Sequence, residues 1–268
     1  MVPIDEDPVT WFNVGLAASL LAINGILSAV LGLGIGKMLL IAATRCLVQL
    51  TIMSLVLERV LLVENSLYSI SMTTVLAALA AYEITYWRSN HGIPGMYVMI
   101  FTSIFASSLF IGTIGTKFAM NANPPWVAYK FIPIMGMLFG NCMIGITMGV
   151  KSIFEILSGK REELEVLLAY GATRLEVCKP ILAKAMKNAL IPTINTMSIT
   201  GLISIPGMMT GQILGGADVS QAAHYQQIII FLISATTALG AIIATTCIIL
   251  VLVDKVPLLR LERMKSMK

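Results

Sequence analysis

The sequence predicts an all-α, polytopic membrane protein of about seven transmembrane helices, with a charged helical insert between spans five and six. Three observations carry this. Only 12% of the 268 residues are charged and 57% are hydrophobic, against about 25% charged in a soluble domain. The apolar residues fall in runs near 20 residues, the length that crosses a hydrocarbon core about 30 Å thick. The charge concentrates in one internal segment, 151–189, and in the C-terminal tail. The net charge of +4 therefore reflects which loops face the cytoplasm and does not indicate a nucleic-acid partner.

Taken in order, the chain opens on MVPIDEDPVT, which is acidic. It lacks the basic start of a cleaved signal peptide, so the first span is expected to be retained. Spans are expected at about 11–33, 38–57, 66–86, 95–115, 130–150, 190–214 and 226–253. The sixth is interrupted by Pro192, Pro206 and several glycines. Segment 151–189 holds Lys151, Lys160, Arg161, Arg174, Lys179, Lys184 and Lys187, and the tail holds Lys255, Arg260, Arg263, Lys265 and Lys268. These are 12 of the 18 basic residues, and two spans separate the groups, so both are placed inside. The acidic N-terminus is then outside, with Lys117 and Lys130. Glycines recur four apart at Gly32/Gly36, Gly136/Gly140, Gly145/Gly149 and Gly211/Gly215, a spacing that lets membrane helices approach closely. Cys46, Cys142, Cys178 and Cys247 form no close pair, so neither a disulfide framework nor a zinc site is indicated. The chain is read as a single transmembrane domain, 1–268.

Residues 162–178 have helical periodicity, with Leu164, Leu167, Leu168, Leu175 and Cys178 supplying the apolar positions. Gly171 interrupts this helix and permits a turn into the next. Pro180 suits the first turn of that second helix. On physical grounds this helix–turn–helix is either a lever pushed by a cytoplasmic partner or an amphipathic segment lying on anionic lipid.

Glu165, then Gly171, Ala172 and Thr173, resembles the docking loop of ABC-transporter permeases, with Val166 and Leu167 in place of two alanines. PIMGMLFGNCMIGITMG at 133–149, ELEVLLAYGAT and IPTINTMSITGLISIPGMMTGQILGGAD at 191–218 occur in this order. Together they make the chain, from about residue 10 to 253, resemble the UPF0014 family, whose members include iron-export and aluminium-tolerance types. The resemblance implies a permease subunit paired with a separate cytoplasmic ATP-binding subunit; the chain is expected to work as a homodimer in the plasma membrane or bacterial inner membrane, with an organellar membrane as the alternative. It implies that Glu165, Leu168, Gly171 and Ala172 form a coupling helix docking on that subunit. ATP and Mg would be bound by the partner: this chain has no GxxxxGK[ST] loop, the nearest string being GLGIGKM at 32–38.

Polar groups inside spans are costly and are functional candidates by default. Arg45 and Gln49 lie four apart on span two, with Glu83 near the inner end of span three as a partner for Arg45 or part of a path. Asn141, Asn195 and Gln212 either line a path or hydrogen-bond between helices. Most of the 17 methionines are read as packing. Met208 and Met209 are the exceptions, because Pro206 and Gly207 should break the helix there, as at many substrate sites. His91 and His224 are isolated in the sequence and are assigned no metal. An ion-coupled secondary transporter, or a membrane scaffold or regulatory subunit, stands as the alternative function. The orientation is checked by cysteine labelling in intact cells. With the native cysteines removed, Lys160→Cys is expected to stay unlabelled from outside, and strong external labelling reverses the topology.

Overall fold

The structure is a computed structural model that describes residues 10–61, 66–254 and 259–266. The acidic start (1–9) and, in the tail, Lys255 and Lys268 lie outside the described residues. The chain divides into two compact units, Met1–Val63 and Glu64–Lys268.

In the first unit, α1 (Trp11–Ser19) runs into α2 (Leu21–Val30), followed by α3 (Gly36–Leu61). The turn between α2 and α3 needs a left-handed backbone at Gly32 and Gly34, with φ +63° and +67°, which glycine adopts without steric cost. Gly32 therefore serves the turn and not a helix crossing. Ser28 holds the turn by accepting from the Ile35 N–H at 3.1 Å.

In the second unit, α4 (Ser66–Tyr82) and α5 (Met96–Ile114) each end in a widened turn, at Glu83–Arg88 and Gly115–Ala119. There Ser89 N–H bonds Ile84 and Met120 N–H bonds Gly115, five residues back, at 3.0 Å each. Then follow α6 (Ala128–Gly159), α7 (Arg161–Ala169), α8 (Arg174–Ile199), α9 (Gly207–Leu214) and α10 (Val219–Leu252). The long helices α6 and α10 are central: α6 packs on α4, α5, α8 and α10, and α10 packs on α5, α6, α8 and α9. A two-residue strand β1 (His91–Gly92) pairs antiparallel with β2 (Lys265–Ser266). That pairing brings the α4–α5 connection and the tail to one end of the unit. Arg174 joins them there by donating to the Leu250 carbonyl. This basic end holds most of the lysines and arginines of 151–189.

Among the described residues, six helices are long and apolar enough to cross a membrane: Trp11–Val30, Gly36–Val60, Ser66–Arg88, Met96–Ala119, Ala128–Gly159 and Val219–Leu252. They match six of the seven expected spans. The remaining one, 190–214, is not a single helix. Gly201 takes φ +88° and Pro206 forces an extended residue before it, so the chain turns at Thr200–Pro206 between α8 and α9. The passage from the basic end back to Val219 at the opposite end falls largely to α8. At 26 residues it is about 39 Å long, and it carries Arg174, Glu176, Lys179, Lys184 and Lys187. Pro180 and Pro192 both lie inside α8 rather than at helix starts, which a helix packed on neighbours tolerates.

What allows α8 to lie against the bundle is the absence of side chains at Gly145 and Gly149 of α6. A Cβ at Gly145 would stand 3.2 Å from the Ala189 carbonyl and would collide with the Thr237 methyl. At Gly149 it would meet the Thr245 methyl at 2.9 Å and the Ala189 methyl at 3.4 Å. Asn188 adds a hydrogen bond to Ser152 at 2.9 Å. Gly136 and Gly140, nine and five residues before Gly145, have nothing within 4 Å. Gly145→Val is therefore expected to destabilise the chain by about 1–3 kcal/mol through overpacking, while Gly136→Ala leaves its melting temperature within error. Thermal unfolding of the two variants in detergent is the check.

Candidate coupling surface and polar groups of the spans

The segment after α6 is built from local signals. Lys160 separates α6 from α7, where Lys160 pairs with Glu163 at 2.6 Å and Arg161 with Glu165 at 2.7 Å. These exposed pairs tie one face of α7 and add only tenths of a kcal/mol each. Leu164 and Leu168, four apart, are buried in the core and anchor α7 to the unit. At the end of α7, Gly171 turns left-handed with φ +88°. Its N–H reaches the Leu168 carbonyl at 3.0 Å, and the Ala172 N–H reaches Leu167 at 3.1 Å. These paired bonds satisfy the last carbonyls of the helix and fix its exit angle.

The next helix starts on a reciprocal cap. Thr173 Oγ1 accepts from the Glu176 N–H at 3.4 Å, and Glu176 Oε2 accepts from the Thr173 N–H at 2.7 Å. The Thr173 N–H and then its hydroxyl hold the Glu176 carboxyl below its usual range. Ala172 is half-buried against the core. The outcome is a short helix, a rigid turn and a capped second helix, standing at the basic end.

Of the four residues expected at a docking surface, Gly171 makes the turn, Glu165 is exposed and held by Arg161, Ala172 backs onto the core, and Leu168 points inward. The outward face is made by others: Tyr170 is 88% exposed, Leu175 77%, Val166 52% and Leu167 45%. Sequence periodicity gives the apolar positions of α7 but not which of them face the bundle. The Thr173-x-x-Glu176 spacing was a readable cap signal.

The polar groups expected within spans fall in both units. Arg45, half-buried, and Gln49, exposed, belong to α3 of the first unit. In the second unit, Glu83 opens the widened turn and pairs with Arg88 at 3.9 Å. Asn141 donates to the Met137 carbonyl of its own helix at 2.9 Å. Asn195 is exposed on α8, and Met208, Met209 and Gln212 are half-buried on α9. Met208 packs on the core, as does Met135, fully buried with its sulfur over Gly112. No group of three or more His, Cys, Asp or Glu able to hold a metal occurs among the described residues.

The cap predicts a pH dependence. Because folding lowers the Glu176 value, its contribution is present above the unfolded carboxyl value, about 4.3, and is lost as pH falls through the lowered folded value. Hydrogen exchange in the first turn of α8 is expected to accelerate below about pH 4. Thr173→Ala is expected to cost about 1 kcal/mol of local stability and to remove much of that pH response.

Residues 11–252 match the family described as "Uncharacterised protein family (UPF0014)". The UPF0014 membrane protein YjkA of Bacillus subtilis is 32% identical over 217 residues, 81% of this chain and 82% of that protein. The "Probable iron export permease protein FetB" of Escherichia coli is 25% identical over 236 residues, 88% of this chain and 89% of its own length. "Protein ALUMINUM SENSITIVE 3" of Arabidopsis thaliana is 29% identical over 233 residues, 86% and 82% of the two chains. No solved structure matches. With six helices among the described residues long and apolar enough to cross a bilayer and a family match over nearly its whole length, this chain is an integral, multi-pass membrane protein of the UPF0014 family.

Proposed function

We propose that this chain is the permease subunit of an ATP-driven ABC transporter, an exporter serving metal homeostasis. The observation that carries the reading is the exposed apolar face of α7 and its turn. Val166 and Leu167 on α7, Tyr170 in the turn and Leu175 in the first turn of α8 face outward, while Leu164 and Leu168 fasten α7 to the core. Such a face in water is costly unless a partner covers it. A rigid turn and a capped helix behind it are suited to transmit a push rather than absorb it. The partner is a separate cytoplasmic ATP-binding subunit that brings ATP and Mg. Its closure would press α7, and α8 would carry the displacement along α6 and α10.

Two copies of the chain would work with two such subunits, the open Gly136 and Gly140 surface of α6 being free for helix contact. The metal reading rests on the printed names of relatives, one an iron export permease and one connected with aluminium sensitivity. Arg45, Gln49, Glu83, Asn141, Asn195, Met208, Met209 and Gln212 remain the candidates for lining a path. The break at Thr200–Pro206 supports the last three, since irregular backbone at membrane depth is tolerated where protein or a wet cavity covers it.

The test is made on the turn between α7 and α8 and its flanks. Tyr170→Asp combined with Leu175→Asp is expected to reduce copurification of the ATP-binding subunit at least tenfold, with membrane insertion and melting temperature unchanged. Gly171→Val is expected to retain some binding but uncouple ATP hydrolysis from export, because a β-branched residue resists the left-handed turn. Wild-type copurification and full metal resistance in both variants would sink the reading.

A further inference from the structure

We propose that a cleft at the basic end of the second unit binds a small zwitterion, a molecule carrying an ammonium group and an anionic oxygen group within one helical turn of each other. The cleft has a volume of about 250 Å³ and is lined by Asn90, His91, Lys151, Phe154, Glu155 and Ser158. Its apolar wall is the buried Phe154, whose ring lies 5.7 Å from that of His91. Lys151 and Glu155 are four apart on α6, the spacing at which such side chains ordinarily pair. No ion pair joins them, and among the described residues neither has another. The side chains of Asn90, His91 and Ser158 likewise make no hydrogen bond among the described residues; only the His91 carbonyl is engaged, accepting from Ser89 Oγ at 2.6 Å. Five polar side chains thus converge on one cleft with their bonding capacity free.

Charge decides the ligand class. A lone anion drawn to Lys151 would meet Glu155, and a lone cation drawn to Glu155 would meet Lys151. A molecule with both charges satisfies both, with Asn90 and Ser158 as hydrogen-bonding partners and the two rings against its carbon skeleton. Ligand pockets for drug-sized molecules run about 300–1,000 Å³, so this one admits a molecule the size of an amino acid or a phosphoethanolamine headgroup. Position permits either source. The 32 residues of α6 reach about 48 Å, well beyond a hydrocarbon core of about 30 Å, so Lys151–Ser158 stand where headgroups and dissolved solutes both reach. The occupant would bridge the last turns of α6 to β1, which β2 already holds, and so brace the root of α7.

The experiment uses the full chain in nanodiscs and no ATP-binding partner, so its failure leaves the coupling reading untouched. In discs of phosphatidylglycerol alone, calorimetry compares glycerophosphoethanolamine and L-serine with inorganic phosphate and ethylamine. At least one zwitterion is expected to bind tenfold or more tightly than either single-charge probe and to raise the melting temperature. Lys151→Gln and Glu155→Gln are each expected to weaken it at least tenfold. If Lys151→Gln does not fold, the exposed Glu155→Gln carries the same test. No zwitterion binding, equal binding of the single-charge probes, or undiminished binding in the folded variants overturns the proposal. Discs containing phosphatidylethanolamine then separate the sources. A lipid headgroup as occupant suppresses glycerophosphoethanolamine uptake there, whereas a dissolved occupant leaves it unchanged.

Discussion

The second unit depends on how closely α8 can approach α6 and α10. A helix with five charged side chains would not enter a bundle of this kind on hydrophobicity. It is admitted because its backbone comes within contact of α6 at Gly145 and Gly149, where a methyl group would already collide with Thr237 or press on Ala189. Dispersion gains from such contacts are small singly and large together, and between membrane helices they replace the hydrophobic drive. The direction of α8 follows from this seam. So does the position of Thr173 and Gly171, and with them the face that α7 presents. The exposed side chains at the tip are therefore aimed by small residues about three turns or more along the helix.

Much of this was legible in the sequence, and the limits have physical reasons. Four spans of the second unit are evident because their apolar runs are unbroken. Gly171 is legible because only a turn explains a glycine between two periodic segments. The packing of α8 against α6 and α10 is not, since its lysines lower any reading of apolarity. The expected span at 190–214 instead joined the end of α8 to a turn and a second short helix. Leu168 was expected at the docking surface and is buried, because helical phase relative to a core is a tertiary fact. The convergence of His91 with Lys151 and Glu155 was hidden by about sixty residues of intervening chain. The separation of Arg45 and Gln49 into another compact unit has no sequence signal at all.

The interior also holds more hydroxyls than an apolar bundle requires. Most serve their own helix. Thr85 donates to Ala81, Ser103 to Met99, Ser107 to Ser103, Thr116 to Gly112 and Thr147 to Met143, each at 2.6–2.9 Å and four residues back. Ser69, Ser108, Thr236 and Thr237 are buried with no partner among the described residues. Thr237 contributes its methyl group to the Gly145 contact, which gives that side chain a packing role independent of its hydroxyl.

The self-contained bonding of these hydroxyls bears on biogenesis. A Ser or Thr that bonds the preceding turn presents little polar surface to lipid, so such a helix can leave the translocon by itself. The helices and turns that carry Thr85, Ser103, Ser107, Thr116 and Thr147 can then wait in the bilayer for later partners with these donors already met, Ser108 of α5 being the exception. α8 cannot do so, because its lysines have no such internal remedy. Its contacts with α6 and α10 would supply the cover that its own turns do not. Ribosomes stalled before residue 219 should thus leave α8 at the membrane surface, and release of α10 should draw it in.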